Sequence, residues 1–334
     1  MKTLFLYIVD DKNAPVLAGL SAVEWLKRGA ETIPYRVIEE GESLPKTQSD
    51  YLAVLTSETP LLTAADLKNL VCEMENRGYD GLEIGRGMLV KTAAYHKGSF
   101  PKRRANVPAA MRVKTPSECL RAEKLLYRRI AELSAQNGAI IPDVETVRID
   151  ALSHVESGAT VLPFSFVTGS VVEAGAVIGS FSEITNSRIG KGARILRSVV
   201  ADSEVGEGAT VGPFAYVRMQ SKVGANCRIG DFVEIKRSRL DSGVKAAHLA
   251  YVGDASVGER SNVGCGAVFA NYDGKQKHVT QVGKRAFIGA NVNLVAPVTV
   301  GDDAYIAAAT TVTKDVENGA FVIGRSRAEQ KQKR

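Results

Sequence analysis

The stretch VGEGATVGPFAYVRMQSKVGANCRIGDFVEIK, residues 205–236, carries one branched apolar residue at every sixth position. The repeated residues are Val205, Val211, Val217, Val223, Ile229 and Ile235. A helix buries residues with a period of 3.6 and a half-buried strand with a period of 2, so neither explains a step of six. A step of six is typical of a parallel β-helix, in which each hexapeptide supplies a short strand and a tight turn. The stretch therefore predicts stacked coils around a narrow apolar core.

The same period returns later in the chain, and it covers roughly 165 residues from about residue 147 onward. The second run is Val282, Ile288, Leu294, Val300, Ile306 and Val312. Two segments interrupt the period, 240–252 and 270–281. Interruptions of a solenoid are where loops leave the coils, and loops commonly carry the chemistry. We therefore expect the functional residues near these two segments.

Length and composition predict a protein of about two domains with an ordinary core. The chain has 334 residues, of which 45% are hydrophobic and 24% charged. The N-terminal run TLFLYIVD (3–10) is short and leads into Asp11 and Lys12, which favours a buried strand over a signal peptide. No apolar run approaches the ~20 residues that a membrane span needs. We expect a cytoplasmic protein without a membrane span.

The formal net charge is +6, which raises the question of an anionic partner. Much of the excess lies in residues 100–114 and 324–334, where no aromatic residues are interleaved for base stacking. We interpret these segments as a solvated linker and a solvated tail, and we expect no nucleic-acid partner. The cysteines are far apart and form no C-x-x-C pair, so neither a disulfide framework nor a zinc knuckle is predicted. They are Cys72, Cys119, Cys227 and Cys265.

The first hundred residues indicate a small α/β domain. Residues 51–78 are typical of a strand, a loop and a helix that is capped by Thr63 and Asp66. Residues 117–138 predict an amphipathic helix that ends at Gly138. The predicted domains are an α/β domain at 1–112, a linker helix at 113–140, a β-helix at 141–327 and a basic tail at 328–334.

Several motifs resemble the acetyltransferase half of one bifunctional family, glucosamine-1-phosphate acetyltransferase / N-acetylglucosamine-1-phosphate uridyltransferase. They are GPFAYVR, GDFVEIKRSRL, KAAHLAYVGD, NVGCGAVFANYDG and LVAPVTVG, in the order and at the intervals of that family. The resemblance extends from about residue 117 to residue 327. It implies a left-handed parallel β-helix, a homotrimer, and acetyl transfer from acetyl-CoA to the amine of glucosamine 1-phosphate. The product would enter the synthesis of bacterial cell-wall precursors.

The resemblance also implies roles for individual residues. His248 falls on the position of the general base, and imidazole suits that role because it accepts a proton near pH 7. Arg218, Lys236 and Lys277 fall on positions that hold the sugar phosphate, where charge-assisted donors are needed. The remaining sugar contacts implied by the resemblance are Glu234, Tyr251 and Asn262.

The acetyl-CoA positions implied by the resemblance lie further along the chain. The backbone N–H of Cys265 would stabilise the oxyanion that forms on the thioester carbonyl. One position departs from the family, because Ala290 stands where the family typically carries a Ser. The other implied cofactor contacts are Asn271, Tyr272, Ala308 and Arg325. No metal is required for this reaction.

The first half departs further from the family, since it is about half the usual length of a uridyltransferase domain. The segment after the first strand, residues 8–25, lacks the clustered Gly that would cradle nucleotide phosphates. Glu58 stands where the family has a metal-binding Asp, and residues 112–118 lack a partner Asn. We expect that uridyltransferase activity is absent.

Three other functions are alternatives to this one. A different phosphorylated or nucleotide-linked amino sugar would use the same machinery, and a non-catalytic scaffold that binds a phosphosugar would not need the base. A zinc hydratase would need three converging His residues. His154, His248 and His278 lack the spacing for such a cluster.

Overall fold

The computed structural model describes residues 2–10 and 14–332 of the chain. Residues up to Arg129 form one compact unit, and residues from Ile130 onward form a second. Part of the segment predicted to lack a phosphate loop, residues 11–13, lies outside the described residues, as do the last two residues of the basic tail. Within the described ranges, no helix is long and apolar enough to cross a membrane.

The first unit is built around a mixed sheet of five strands. Their spatial order is Tyr35–Glu39, Leu4–Asp10, Tyr51–Thr56, Gly87–Lys91 and Gly81–Ile84. The first three strands are parallel to one another, and Gly87–Lys91 is antiparallel to both of its neighbours. The remaining elements are the short strands Val16–Leu17 and Leu20–Ser21, the helices Ala22–Ala30, Ala64–Arg77 and Thr92–His96, and a 3₁₀ turn at Pro108–Ala110. The helix Pro116–Gln136 begins in this unit and ends in the second. The predicted small α/β domain is therefore confirmed.

Local sequence signals in this unit act as predicted. The Thr63 hydroxyl accepts a hydrogen bond from the backbone N–H of Asp66, and the Asp66 carboxylate accepts one from the backbone of Thr63. This reciprocal pair satisfies two N–H groups that the first helical turn leaves without partners. The predicted helix at 117–138 is also present as Pro116–Gln136, and Gly138 follows it with φ 97°.

The second unit is a parallel β-helix with three faces, which we number I to III. Face I contains Thr160–Val161, Val177–Ile178, Arg194–Ile195, Thr210–Val211, Arg228–Asp231, Lys245–His248, Asn262–Val263, Phe287–Ile288, Tyr305–Ile306 and Phe321–Val322. Face II contains Arg148–Ile149, Phe166–Thr168, Glu183–Thr185, Val199–Ala201, Tyr216–Arg218, Glu234–Lys236, Tyr251–Gly253, Val268–Ala270, Asn293–Val295 and Thr311–Val312. Face III contains His154–Val155, Val171–Val172, Arg188–Ile189, Glu204–Val205, Lys222–Val223, Arg239–Leu240, Ala255–Val257, Thr280–Val282 and Val298–Val300.

The six-residue period of the sequence follows from this geometry. Each hexapeptide occupies one face, so consecutive apolar residues point into the core from faces III, I and II in turn. Val205, Val211 and Val217 make one such circuit, and all three are buried. Val223 then lies beside Val205 in the next coil, paired in register on face III. The predicted fold class, a left-handed parallel β-helix preceded by a small α/β domain, is confirmed.

The prediction that residues 240–252 interrupt the coils is wrong. Residues 240–252 stay on the coils, because Leu240, Ala246 and Val252 point inward on faces III, I and II. The step shortens to five at the corners on either side, between Ile235 and Leu240 and between Val252 and Val257, so the lost residue belongs to the turns. The second interruption does leave the coils, as a loop at residues 271–279 between faces II and III.

A ladder of serines closes the corner between faces II and III. Each hydroxyl accepts a hydrogen bond from the backbone N–H at the same position of the next coil. The bonds run Ser170 N to Ser153, Ser187 N to Ser170, Ser203 N to Ser187, Ser221 N to Ser203, Ser238 N to Ser221 and Ala255 N to Ser238, at 3.0–3.3 Å. The ladder thus satisfies corner N–H groups that are shielded from water.

We predict that Ser203→Ala destabilises the β-helix. The substitution removes the acceptor of the buried Ser221 N–H, and an orphaned buried donor costs about 1–3 kcal/mol. The measurement is the urea midpoint of the circular-dichroism signal of β structure. Ser256→Ala is the matched control because Ser256 is exposed on face III. Equal midpoints for the two variants would contradict the structural role of the ladder.

Candidate active site

The predicted base and three predicted cofactor positions share one corner of the β-helix. Each lies two residues after the inward residue of face I, at the turn toward face II, and the inward residues are paired in register from coil to coil. We call this set the corner column: Asp231, His248, Cys265, Ala290 and Ala308. Adjacent coils are spaced by roughly 4.8 Å. The members of the column are 17 to 25 positions apart in the sequence, but they are neighbours on consecutive coils. Together they form a short continuous track along the corner.

The ring of His248 lies at the surface of this corner. Its Nδ1 is 2.5 Å from Oδ1 of Asp231, one coil earlier in the column, and the two residues are paired in register. The imidazole is 53% exposed, so a substrate can reach it. The hydrogen bond to His248 is the main cause that holds the pKa of Asp231 below its usual value. Sequence reasoning missed Asp231, which lies in the quoted GDFVEIK motif but received no role.

Face II presents most of the predicted sugar contacts on its outer surface. Arg218 is in register with Lys236, and Glu234 is in register with Tyr251 on the next coil. Nε–H of Arg218 donates a hydrogen bond to Oε1 of Glu234 at 2.8 Å, and a terminal guanidinium nitrogen forms an ion pair with the same oxygen at 2.7 Å. The guanidinium also lies over the ring of Tyr216, 5.1 Å from its centroid. Packing and pairing therefore hold Arg218 in place on this face.

Two lysines face each other beside this pair. Lys277, on the 271–279 loop, lies against Lys236 of face II, and the nearby ammonium of Lys236 holds the pKa of Lys277 below its ordinary value. Like charges at close range repel, and a dianion between them would turn the repulsion into attraction. With Arg218 in register beside Lys236, the structure brings the three predicted phosphate ligands to one region.

A buried carboxylate anchors the start of the loop. Asp254 accepts a hydrogen bond from the side-chain amide of Asn271 at 2.5 Å and an ion pair from Arg237 at 3.4 Å. The same amide donates to the hydroxyl of Tyr251 at 3.4 Å. Asn271, predicted as a cofactor contact, is thus buried and directed toward face II. Sequence reasoning gave Asp254 no role, although it ends the quoted KAAHLAYVGD motif.

Gly253 makes room for the Tyr251 ring. A Cβ at position 253 would lie 2.4 Å from the Tyr251 hydroxyl oxygen, closer than real Cβ atoms come to other atoms. The absent side chain lets the phenol lie along the face and reach Asn271. This glycine therefore positions a predicted sugar contact.

The tip of the loop is a compact turn. Asp273 accepts hydrogen bonds from the backbone N–H groups of Lys275 and Gln276 and lies 2.7 Å from Nε2 of His278. These contacts lower the pKa of Asp273 to about 2. Tyr272 is exposed, and its hydroxyl donates to the Gly274 carbonyl.

The other predicted contacts lie along the column or around its corner. Cys265 is exposed, and its carbonyl accepts the N–H of Asn291. Arg325 reaches back to donate to the carbonyl of Ala308 at 2.5 Å. Asn262 lies outward on face I, so within one chain it is separated from the face II residues by the corner column.

No metal site accompanies these residues: in residues 2–10 and 14–332, no three His, Cys, Asp or Glu side chains cluster as ligands. In the first unit, Glu58 is nearly buried and engaged by cations. Its two oxygens accept hydrogen bonds from Nε and a terminal nitrogen of Arg112 at 2.7 and 3.3 Å, and Arg86 lies 3.7 Å away.

We predict that inorganic phosphate raises the pKa of Lys277. A bound dianion favours the charged ammonium, whereas Lys236 disfavours it. Because the pKa is lowered in the folded state, folding stability rises with pH between the lowered pKa and the ordinary one, and phosphate should reduce this rise. The measurement is an NMR titration of labelled lysine side chains with and without phosphate.

Lys236→Met tests the cause of this shift and should move the pKa of Lys277 upward in phosphate-free buffer. Lys222→Met is the control, because Lys222 pairs with Glu204 on face III. An unchanged pKa of Lys277 in Lys236→Met would show that the two ammoniums do not interact.

Comparison with known proteins agrees with the motif resemblance. No protein-family model matches the chain. A GlmU bifunctional protein of Clostridium acetobutylicum is 45% identical over 205 residues, covering 61% of this chain and 45% of that protein. Those of Geobacillus sp. and Clostridioides difficile are 44% and 43% identical over 212 and 224 residues, covering 63% and 67% of this chain and 46% and 49% of those proteins.

Solved structures resemble the chain only weakly. LpxA of Acinetobacter baumannii has a TM-score of 0.31 at 16% identity and covers 53% of this chain and 68% of that one. A likeness at this level carries no argument about function. The chain spans about half the length of the curated relatives it matches, and over three-fifths or more of its own length it is similar in sequence to the GlmU bifunctional proteins.

Proposed function

We propose that the protein is an N-acetyltransferase that moves the acetyl group of acetyl-CoA to the amine of glucosamine 1-phosphate. The observation that carries the proposal is the position of His248 at the corner between two different sites. On one side lies the cation group of face II, and along the corner column lie the small residues Cys265, Ala290 and Ala308. A base between an anion site and an open track suits transfer between two bound substrates.

The reaction follows from these positions. The phosphate of the sugar would be held by Arg218, Lys236 and Lys277, which places its amine toward the corner. Nε2 of His248 takes a proton as the amine nitrogen attacks the thioester carbonyl carbon. The oxyanion accepts a hydrogen bond from the Cys265 N–H, and the thiolate of CoA leaves as the carbonyl re-forms. The transfer is direct and needs no acyl-enzyme and no metal.

Acetyl-CoA would lie along the corner column toward Ala308 and Arg325. The small side chains at positions 290 and 308 leave the track open, and the Arg325 guanidinium is available near its end for the phosphates of CoA. Tyr272, which is exposed on the loop, is proposed as a further contact of acetyl-CoA. The side chain of Asn271 is buried against Asp254 and Tyr251, so we propose that it supports this contact by holding the start of the loop. The homotrimer implied by the family resemblance is part of the same proposal.

We also propose that the first unit lacks uridyltransferase activity. Glu58, at the position of the family's metal ligand, is engaged by Arg112 and lies near Arg86. A carboxylate satisfied in this way is a poor ligand for a divalent cation, since the metal would have to displace two guanidinium groups.

His248→Ala tests the proposal directly. Loss of a general base lowers kcat by about 10²- to 10⁴-fold, while the KM for the sugar phosphate should stay nearly unchanged. The measurement is release of free CoA thiol with glucosamine 1-phosphate as acceptor. His154→Ala is the control, because His154 lies outward on face III. Full activity of His248→Ala would refute the assignment of the base.

The choice of acceptor separates the remaining functions. Activity with another phosphorylated or nucleotide-linked amino sugar, at a higher kcat/KM than with glucosamine 1-phosphate, would identify the alternative enzyme. Binding of the sugar phosphate without CoA release by the unmodified protein would identify a scaffold.

Ala290→Ser restores the hydroxyl of the related family at the thioester end of the column. One hydrogen bond is worth about 0.5–1.5 kcal/mol, so we expect the KM for acetyl-CoA to fall about two- to tenfold. Steady-state kinetics at saturating acceptor measure the change. A higher KM in this variant would argue against passage of the cofactor beside residue 290.

A further inference from the structure

We propose that Asp231 is a positioning residue that sets the tautomer and the orientation of the His248 ring. The inference rests on the proposed function of His248 as the base, and it concerns a residue to which the sequence motifs assign no role. It begins from the contact between Nδ1 of His248 and Oδ1 of Asp231, at 2.5 Å.

The backbone makes this contact a property of the fold. Asp231 and His248 lie side by side at equivalent positions of consecutive coils, and the N–H of Leu249 donates to the Asp231 carbonyl at 2.9 Å. The residues that follow them, Phe232 and Leu249, have similar left-handed φ values of 55° and 48°. Both side chains therefore leave the corner from the same backbone geometry, one directly above the other.

Gly230 keeps the two coils close at this point. A Cβ there would collide with the backbone carbonyl of Ala247, the residue before His248. The glycine thus lets the chain on either side of the pair approach to contact distance.

The chemistry of the carboxylate decides which imidazole nitrogen carries the proton. Asp231 is ionised at neutral pH, because hydrogen bonding to His248 holds the pKa of its carboxyl low. An ionised carboxylate only accepts hydrogen bonds, so Nδ1 of the neutral imidazole must be the donor. The lone pair is then on Nε2, the nitrogen that the proposed reaction requires.

The same carboxylate stabilises the product of proton transfer. When Nε2 accepts the amine proton, the ring becomes a cation beside an anion, and the attraction between them stabilises the product of the transfer. The charged neighbours of the pair are Arg228, on the strand of Asp231, and Lys245, on the strand of His248 and in register with Arg228. Among the described residues neither cation forms an ion pair with Asp231, and the imidazole of His248 is its side-chain partner.

Two substitutions separate the parts of this role. Asp231→Asn keeps the shape and removes the charge, and its carboxamide can donate as well as accept, so the preference for the Nδ1–H tautomer should weaken. Asp231→Ala also removes the acceptor, and should shift the neutral ring toward the Nε2–H tautomer. Each should reduce kcat about 10- to 100-fold, less than the loss of the base itself, with little change in the KM for the sugar phosphate. Asp231→Glu should restore part of the activity.

The tautomer is read by long-range ¹H–¹⁵N NMR of histidine-labelled protein, and His248→Gln assigns the resonances. Asp241→Asn is the matched control: it removes the same charge at an Asp paired with Arg239 near face III, and should leave His248 and kcat unchanged.

The readouts keep this inference separate from the proposed function. An unchanged tautomer of His248 in both Asp231 variants would overturn the positioning role, as would a kcat equal to that of Asp241→Asn. If the unmodified protein transfers no acetyl group to any amine tested, the proposed function fails. The NMR comparison, which needs no substrate, would then still decide whether Asp231 controls the ring.

Discussion

The structure depends on one constraint: each coil must lie parallel to the one before it, so that every residue stands beside its equivalent one coil away. Backbone hydrogen bonds between coils enforce this registry on all three faces. Because of this registry, equivalent positions of successive coils line up in columns. Some columns are apolar and lie inside, one consists of serines at the corner between faces II and III, and one is the corner column. The core, the serine ladder and the corner column are three results of the same stacking.

Stacking also separates the two tasks of the candidate site. The flat outer surface of face II presents Arg218, Glu234 and Lys236 in neighbouring coils, where side chains stand roughly 4.8 Å apart and can converge on a small anion. The corner presents one side chain per coil at a sharp turn, where it is open to solvent on two sides. His248 lies at the corner and Tyr251 on the face, only three residues apart in the chain.

The sequence predicts the repeat well because each inward position must be apolar and the coil has no freedom to skip a face. The prediction that residues 240–252 leave the coils fails because a corner can lose one residue without moving the strands beside it, as happens between Ile235 and Leu240. The residues that carry the family motifs are found from the sequence. Asp231 and Asp254 receive no role because their partners, His248 and Asn271, are 17 residues away. Two residues that are one coil apart can be recognised as contact partners only when the register of the coils is known.

The corner column has a consequence for the length of the cofactor. From His248 to Ala308 the column advances by three coils, or roughly 14 Å at the spacing of neighbouring strands. Arg325 closes that interval by binding the carbonyl of Ala308. The number of coils therefore fixes the distance between His248 and the end of the track at Ala308. Inserting or deleting one coil between these two residues would change the reach of the track by a fixed increment, and would leave the chemistry at His248 untouched.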